Sequence, residues 1–194
     1  MKIYLLQKNW TNNFKNIIIN AGDYMSFNIL AIDPSLSSTG YSIIKSDTRE
    51  IIECARYITK SNIPENERIK NIIIELDNIY EINGFINEIA IEDGFTSSAN
   101  IKVGLQLAKL RGAIISHFML KNIPVYTQEP KETRKNLGLK GNAKKEEVAN
   151  KILELYPELI ERIGLYSDKA NKQKTSDMYD SVCIGIAHLN KTRS

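Results

Sequence analysis

Cysteine is scarce in this 194-residue sequence: Cys54 and Cys183 are the only two, they lie far apart in apolar surroundings, and neither belongs to a CxxC pair. Two buried free thiols in a reducing compartment therefore outweigh a disulfide or a zinc site, which points to the cytoplasm. Long hydrophobic runs are missing too. The apolar stretches fall far short of the roughly 20 residues that cross a bilayer, and Gln7, Lys8 and Asn9 interrupt the first residues, so no membrane span or signal-peptide core is expected. An excess of one charge is also absent: 26 basic residues face 23 acidic ones, a net charge of +3. Overall charge then identifies no polyanionic partner, and only local clustering can. No internal repeat or low-complexity tract is found. What remains is 42% hydrophobic and 25% charged, enough for one compact domain with a sizeable core. Residues 1–24, rich in Asn and Lys, precede Met25-Ser26-Phe27 and read as a leader to a domain over 25–194. The alternative for Asn16 to Asn20 is an extra edge strand.

From Asn28 the pattern becomes legible. Ile29-Leu30-Ala31-Ile32 is a short apolar run ending at Asp33-Pro34, the signature of a strand buried on both faces. Gly40 to Ile44 and Ile51 to Tyr57 follow at hairpin-like distances, giving a three-stranded antiparallel meander. Pro64 to Ile82 opens with Pro and acids and places Ile69, Ile72, Ile73, Leu76, Ile79 and Tyr80 at helical spacing. Phe85 to Ile91 reads as a strand delivering Glu92, Ser98 to Asn122 as a long helix, and Ile123 to Tyr126 as a further strand. A basic helix-loop-helix runs from Pro130 through the Gly138 to Gly141 turn into Lys144 to Tyr156, Pro157 to Thr175 is a flexible connection, and Ser176 to Asn190 closes the chain as a helix. Such an order predicts an α/β fold: a mixed five-stranded sheet flanked by helices on both faces.

Four acids stand out within this frame. Asp33 ends the first strand and Glu92 the fourth, so if those strands are neighbours their carboxylates stand side by side at one sheet edge. Asp177 and Asp180 share a helix face at i,i+3. Taken singly, each has a bland explanation as a turn, loop or first-turn helix acid. Val182, Cys183, Ile184, Ile186 and Ala187 nevertheless make the last helix strongly apolar just after Asp180, and acids at the margin of a buried helix need cations. Hard oxygen ligands converging on ions about 3.5–4 Å apart are what phosphodiester hydrolysis by two metals requires. A second cluster is basic: between Lys131 and Lys145, Lys131, Arg134, Lys135, Lys140, Lys144 and Lys145 face a single acid, Glu132. A solvated helix face is the plain reading, and a DNA-backbone track the functional one.

The chain resembles the RuvC Holliday-junction resolvases of the RNase H-like superfamily in Ile29-Leu30-Ala31-Ile32-Asp33-Pro34 with Thr39-Gly40-Tyr41, in Ala90-Ile91-Glu92 with Phe95, and in Asp177-Met178-Tyr179-Asp180-Ser181. Gly104, Leu107, Arg111-Gly112, Pro124-Val125 and Ala143-Lys144-Lys145 resemble the family's middle section in the same order. Each motif alone is weak, and their ordered combination over Asn28 to His188 is strong. The resemblance implies an RNase H-like fold and a structure-specific endodeoxyribonuclease that cuts Holliday junctions or other branched DNA. It also implies two Mg²⁺ ions, replaceable by Mn²⁺, on Asp33, Glu92, Asp177 and Asp180. Phe95 matches the aromatic that enters the junction centre, with a core aromatic as the alternative. Arg134 and Lys145 match two basic positions near the scissile phosphate. Arg stands where Lys is usual, and a guanidinium can clamp a phosphate but not act as general acid, whereas Lys145 keeps both options. The long helix implies a homodimer, with Ile101, Leu105, Ala108, Ile115 and Phe118 as interface candidates. Ser35, where the family has Gly, and the long connection after Pro157 depart from the pattern.

Two other readings remain open on the sequence. Asp33-Pro34-Ser35-Leu36-Ser37-Ser38-Thr39-Gly40 also resembles the phosphate loop of actin-like ATPases and sugar kinases, but those need a second such loop and a second domain, which 194 residues do not supply. A catalytically inactive branched-DNA-binding protein is the other, and intact acids at all four positions argue against it.

Overall fold

A computed structural model describes residues 26–84, 86–94, 101–163 and 169–192, with the side chains of 169–174 left aside. It contains five strands and six helices in the order β1 (Asn28–Asp33), β2 (Ser38–Lys45), β3 (Ile51–Ile58), α1 (Glu65–Ile82), β4 (Ile86–Glu92), α2 (Ile101–Leu120), β5 (Val125–Gln128), α3 (Pro130–Asn136), α4 (Lys145–Leu155), α5 (Leu159–Ile163) and α6 (Lys169–Thr192). The strands form one sheet in the order β3-β2-β1-β4-β5. β1, β2 and β3 are an antiparallel meander, and β4 and β5 run parallel to β1. This is the mixed five-stranded sheet that the element order requires.

β1 is central because its sequence is apolar on both faces. Leu30 and Ile32 join Ile72, Leu76 and Ile79 of α1 and Leu110, Ile114 and Phe118 of α2 in one core. Ile29 and Ala31 point the other way, into a second core with Val148 and Ile152 of α4, Leu159 and Ile163 of α5, and the apolar stripe of α6. Alternation along a strand with period two places these sets on opposite faces. Among the described residues no helix is long and apolar enough to cross a membrane.

Three boundaries differ from the sequence reading. β5 occupies Val125–Gln128 rather than Ile123 to Tyr126: Ile123 is buried under α2 before the strand begins, and polar Thr127-Gln128 carries the pairing. The connection from Pro157 contains α5, whose Leu159 and Ile163 are buried at i,i+4, and α6 starts at Lys169 rather than Ser176. The Lys- and Gln-rich first turns of α6 are good helix formers that lack an apolar period, so only propensity marks them. On α2, Ile101 and Leu105 are exposed, but Phe118 is wholly buried in this chain's own core and Ile115 packs against it. Phe118 is therefore spent on the sheet and is not an interface residue. Asn122 ends the helix with φ 61°, the left-handed conformation that Asn tolerates after a C-terminus.

Candidate active site

The site begins with strand register. β1 and β4 are parallel neighbours with Ile32 opposite Ile91, so the next residues, Asp33 and Glu92, leave the sheet together at one edge. α6 meets that edge from one face. Gly40 on β2 pairs with Asp33, and a Cβ placed on it would lie 2.0 Å from the carbonyl oxygen of Asp177. Only glycine lets the helix backbone approach so closely. Asp177 is thereby pressed against the strand beside Asp33, and Asp180 follows one turn further along the same helix face.

Electrostatics show that these acids share one field. Burial, then the charges of Glu92, Asp180 and Asp177, raise the Asp33 carboxyl well above the ordinary carboxylate range, with Lys145 opposing. Burial and then Asp180 push Glu92 up to about 7, against the pull of Arg134, Lys145 and Arg111. Asp180 is raised as well, by burial first, while Lys145 and Arg134 work to lower it and Asp177 to raise it. The Lys145 ammonium sits 2.8 Å from Asp180 Oδ2. Burial alone would lower its affinity for a proton, but the Asp180 charge and hydrogen bond outweigh that, and it stays protonated. Burial is the first cause at all three, and the charges of neighbouring acids add to it, so these carboxyls hold protons more tightly than free ones do.

Lys145 opens α4 and Arg134 lies on α3, so the basic helical hairpin delivers both cations to the acids. Arg134 also donates from Nη1 to the Gly141 carbonyl at 3.3 Å, bracing the turn between the two helices. The Glu147 carboxylate accepts from the Lys144 backbone N–H at 2.7 Å and fixes the start of α4. Lys131, Lys135, Lys140 and Lys144 are exposed on the same hairpin, with Lys135 paired to Glu132 at 2.7 Å. They do not reach the carboxylates. Phe95 lies outside the described residues.

Arg111 of α2 carries a role that motif reading alone did not assign. Its Nη1 donates to the Gly94 carbonyl at 2.9 Å, and its Nε stands 3.4 Å from Asp93 Oδ1. One guanidinium therefore fixes the two residues that follow Glu92. Its half-buried place, one helix away from the acids, gave no periodic signal.

The donor set suits a hard divalent cation: every candidate ligand is a carboxylate oxygen, and the excess negative charge is what a cation would relieve. Among the described residues no three ligating side chains stand close enough to enclose an ion as they are. A mixed five-stranded sheet with helices on both faces is an α/β fold of the RNase H-like class.

Comparison with known proteins narrows that class. The family model described as "Crossover junction endodeoxyribonuclease RuvC" matches residues 29–188. A relative of that name from Brachyspira hyodysenteriae is 29% identical over 166 residues, covering 84% of this chain and 94% of the relative. Another from Caldicellulosiruptor saccharolyticus is 25% identical over 169 residues, covering 86% and 94%. Among solved structures, Thermus thermophilus RuvC in complex with a Holliday junction substrate matches with a TM-score of 0.67 and 19% identity over 86% of this chain and 95% of that one; its likeness bears on the fold. The chain belongs to the RuvC family and is a crossover junction endodeoxyribonuclease. An actin-like nucleotide module is thereby set aside.

Proposed function

We propose that the protein resolves four-way DNA junctions as a homodimer, with one carboxylate site per subunit, and that Asp33, Glu92, Asp177 and Asp180 hold two Mg²⁺ ions. The carrying observation is the convergence of three carboxyls with raised proton affinity, Asp33, Glu92 and Asp180, on the edge where parallel β1 and β4 end. When bound, such ions supply a nucleophilic hydroxide at neutral pH and neutralise the phosphate. Mn²⁺ would serve in their place. The chain's own residues then divide the remaining work. Asp33, Glu92, Asp177 and Asp180 would hold the ions, whose charge would offset the carboxylates' repulsion of a phosphodiester. Lys145, whose ammonium stands 2.8 Å from Asp180 Oδ2, would face the scissile phosphate and steady the charge that develops there. Arg134 clamps a neighbouring phosphate without giving up its proton.

Lys131, Lys135, Lys140 and Lys144 would follow the DNA backbone away from the cut, and Phe95 would enter the junction centre and unstack bases. A two-fold substrate is matched by an isologous dimer, and α2 offers a surface for one: Ile101 and Leu105 are 65% and 58% exposed, and Ala108 continues their stripe at helical spacing. Residues 25–194 would form the nuclease unit and 1–24 its leader. The buried free thiols of Cys54 and Cys183 suit the cytoplasm. Labelled four-way, three-way and duplex DNA, incubated with and without Mg²⁺ and combined with sedimentation, tests the reading. Paired nicks on the four-way junction by a dimer support it, and equal cutting of plain duplex contradicts it.

A further inference from the structure

α6 brings Asp177 and Asp180 to the site, yet it packs mainly over β1 and β2, while Glu92 stands on β4. Something has to set the distance between the helix acids and the strand acid. A polar tie between these two parts of the molecule lies eight residues beyond Asp180, about 12 Å along the helix axis. There His188 is 1% exposed, buried among apolar α6 neighbours. Its Nε2 is 2.9 Å from Glu88 Oε2 on β4, and its Nδ1 is 3.2 Å from Gln128 Nε2 on β5. The Tyr126 ring covers it, with ring centroids 4.8 Å apart.

The partners fix the proton arrangement. A carboxylate only accepts, so Nε2 carries the hydrogen toward Glu88, and Nδ1 accepts from the Gln128 amide. Both ring nitrogens are then used, and the ring has one orientation. Gln128, itself 4% exposed, is paired with Glu92 across the strands. Its backbone carbonyl accepts the N–H of Asp93 at 2.9 Å. Glu88, Ala90 and Glu92 face α6 by strand alternation. A helix residue therefore grips the strand of Glu92 at Glu88 and, through Gln128, the strand position directly beside Glu92.

Burying an imidazole and an amide beside a partly exposed carboxylate is a costly choice where an apolar contact would pack as well. Directionality is what the polar version adds, because hydrogen bonds fix the rotation and height of α6 against β4 while apolar contacts allow sliding. We infer that His188, held between Glu88 and Gln128, is a positioning residue that sets the spacing between the α6 acids and Glu92, and so the fit of the site to its cations. The inference rests on the reading of these acids as metal ligands.

The test is Mn²⁺ binding to the DNA-free protein by calorimetry, together with the Mg²⁺ dependence of junction cleavage, in His188→Leu, Gln128→Leu, Glu88→Gln and Glu92→Gln. Loss of a group that orients ligands typically costs 10- to 100-fold in metal affinity. His188→Leu is expected to weaken Mn²⁺ at least about tenfold and to raise the half-saturating Mg²⁺ concentration in step, with junction affinity unchanged. Gln128→Leu, which leaves the Glu88 bond in place, should show a smaller shift in the same direction and provides the reading if His188→Leu does not fold. Glu88→Gln keeps an acceptor for Nε2–H and should stay within about twofold of the parent. If His188→Leu and Gln128→Leu lower the melting temperature but bind Mn²⁺ as the parent does, while Glu92→Gln binds it poorly, the residues only stabilise the fold and the inference is overturned. Parental Mn²⁺ binding by Glu92→Gln would instead overturn the ligand reading itself and remove the clamp's purpose with it.

Discussion

Replacing Glu92 by Gln should make the metal-free protein more stable above neutral pH while destroying its activity. The magnitude follows from the site. The Glu92 carboxyl ionises in the folded protein near pH 7 rather than near 4.5, chiefly through burial and then through the Asp180 charge. Below about pH 4.5 the group is protonated both folded and unfolded, and nothing is lost. As pH rises from there to about 7 the unfolded chain gives up its proton first, so stability falls through that window and stays lower beyond it. Holding the folded carboxylate ionised at pH 8 costs on the order of 3 kcal/mol. Water reaches part of the side chain and the neighbouring acids readjust, so about 1–3 kcal/mol is the expected gain from the neutral isostere. For a chain of this size that corresponds to a rise of about 2–10 °C in melting temperature. The assay is thermal unfolding of both proteins in EDTA at pH 5 and pH 8. The two curves should approach one another at pH 5 and separate at pH 8, with Glu92→Gln the more stable. Millimolar Mg²⁺ should reverse the order at pH 8, because a ligand at 100 times its Kd stabilises the binding protein by about 2.7 kcal/mol. A Glu92→Gln protein less stable than the parent in EDTA at pH 8 would refute the reasoning, since the carboxylate would then be a structural partner rather than a strained one.

Lys145→Ala should lower kcat on a junction by about 10²–10³-fold with little change in binding, measured by single-turnover cleavage, whereas Arg134→Lys should retain most of the parental rate because it keeps a cation at the phosphate. Phe95→Ala should slow cutting of fully paired junctions more than cutting of junctions already unpaired at the branch, and equal slowing would assign the ring to folding instead. Replacing Lys140 and Lys144 by Ala should flatten the salt dependence of junction binding by about one unit of log–log slope per lost phosphate contact, measured by fluorescence anisotropy across a salt series.

Strands and helices with a strong apolar period were legible in the sequence. Ile29 to Ile32 is buried on both faces as its unbroken run requires, and α1 buries Ile72, Leu76 and Ile79 of the stripe read from it. The convergence of Asp33 with Glu92 was legible too, because a strand-end acid can be placed once strand order is known. What escaped was carried by polar residues. The first turns of α6 and the short β5 have no apolar rhythm, and Phe118 looked like a surface residue only because the sequence does not say which side of α2 meets the sheet. Arg111, His188 and Gln128 act through partners 17, 100 and 60 residues away. No local pattern encodes such pairs; only the folded chain brings them together.

On the proposed function, the acids gathered from β1, β4 and α6 carry the cleavage chemistry and not the grip on DNA, and that division can be measured. It is tested most directly by cleavage and binding of one labelled four-way junction, side by side, for the parent and for Asp33→Asn, Glu92→Gln, Asp177→Asn and Asp180→Asn in Mg²⁺. Junction binding close to the parent's and no detectable cleavage are expected in all four variants. Cleavage at the parental rate by any of the four would show that its carboxylate is not an essential ligand and would contradict the assignment of the site.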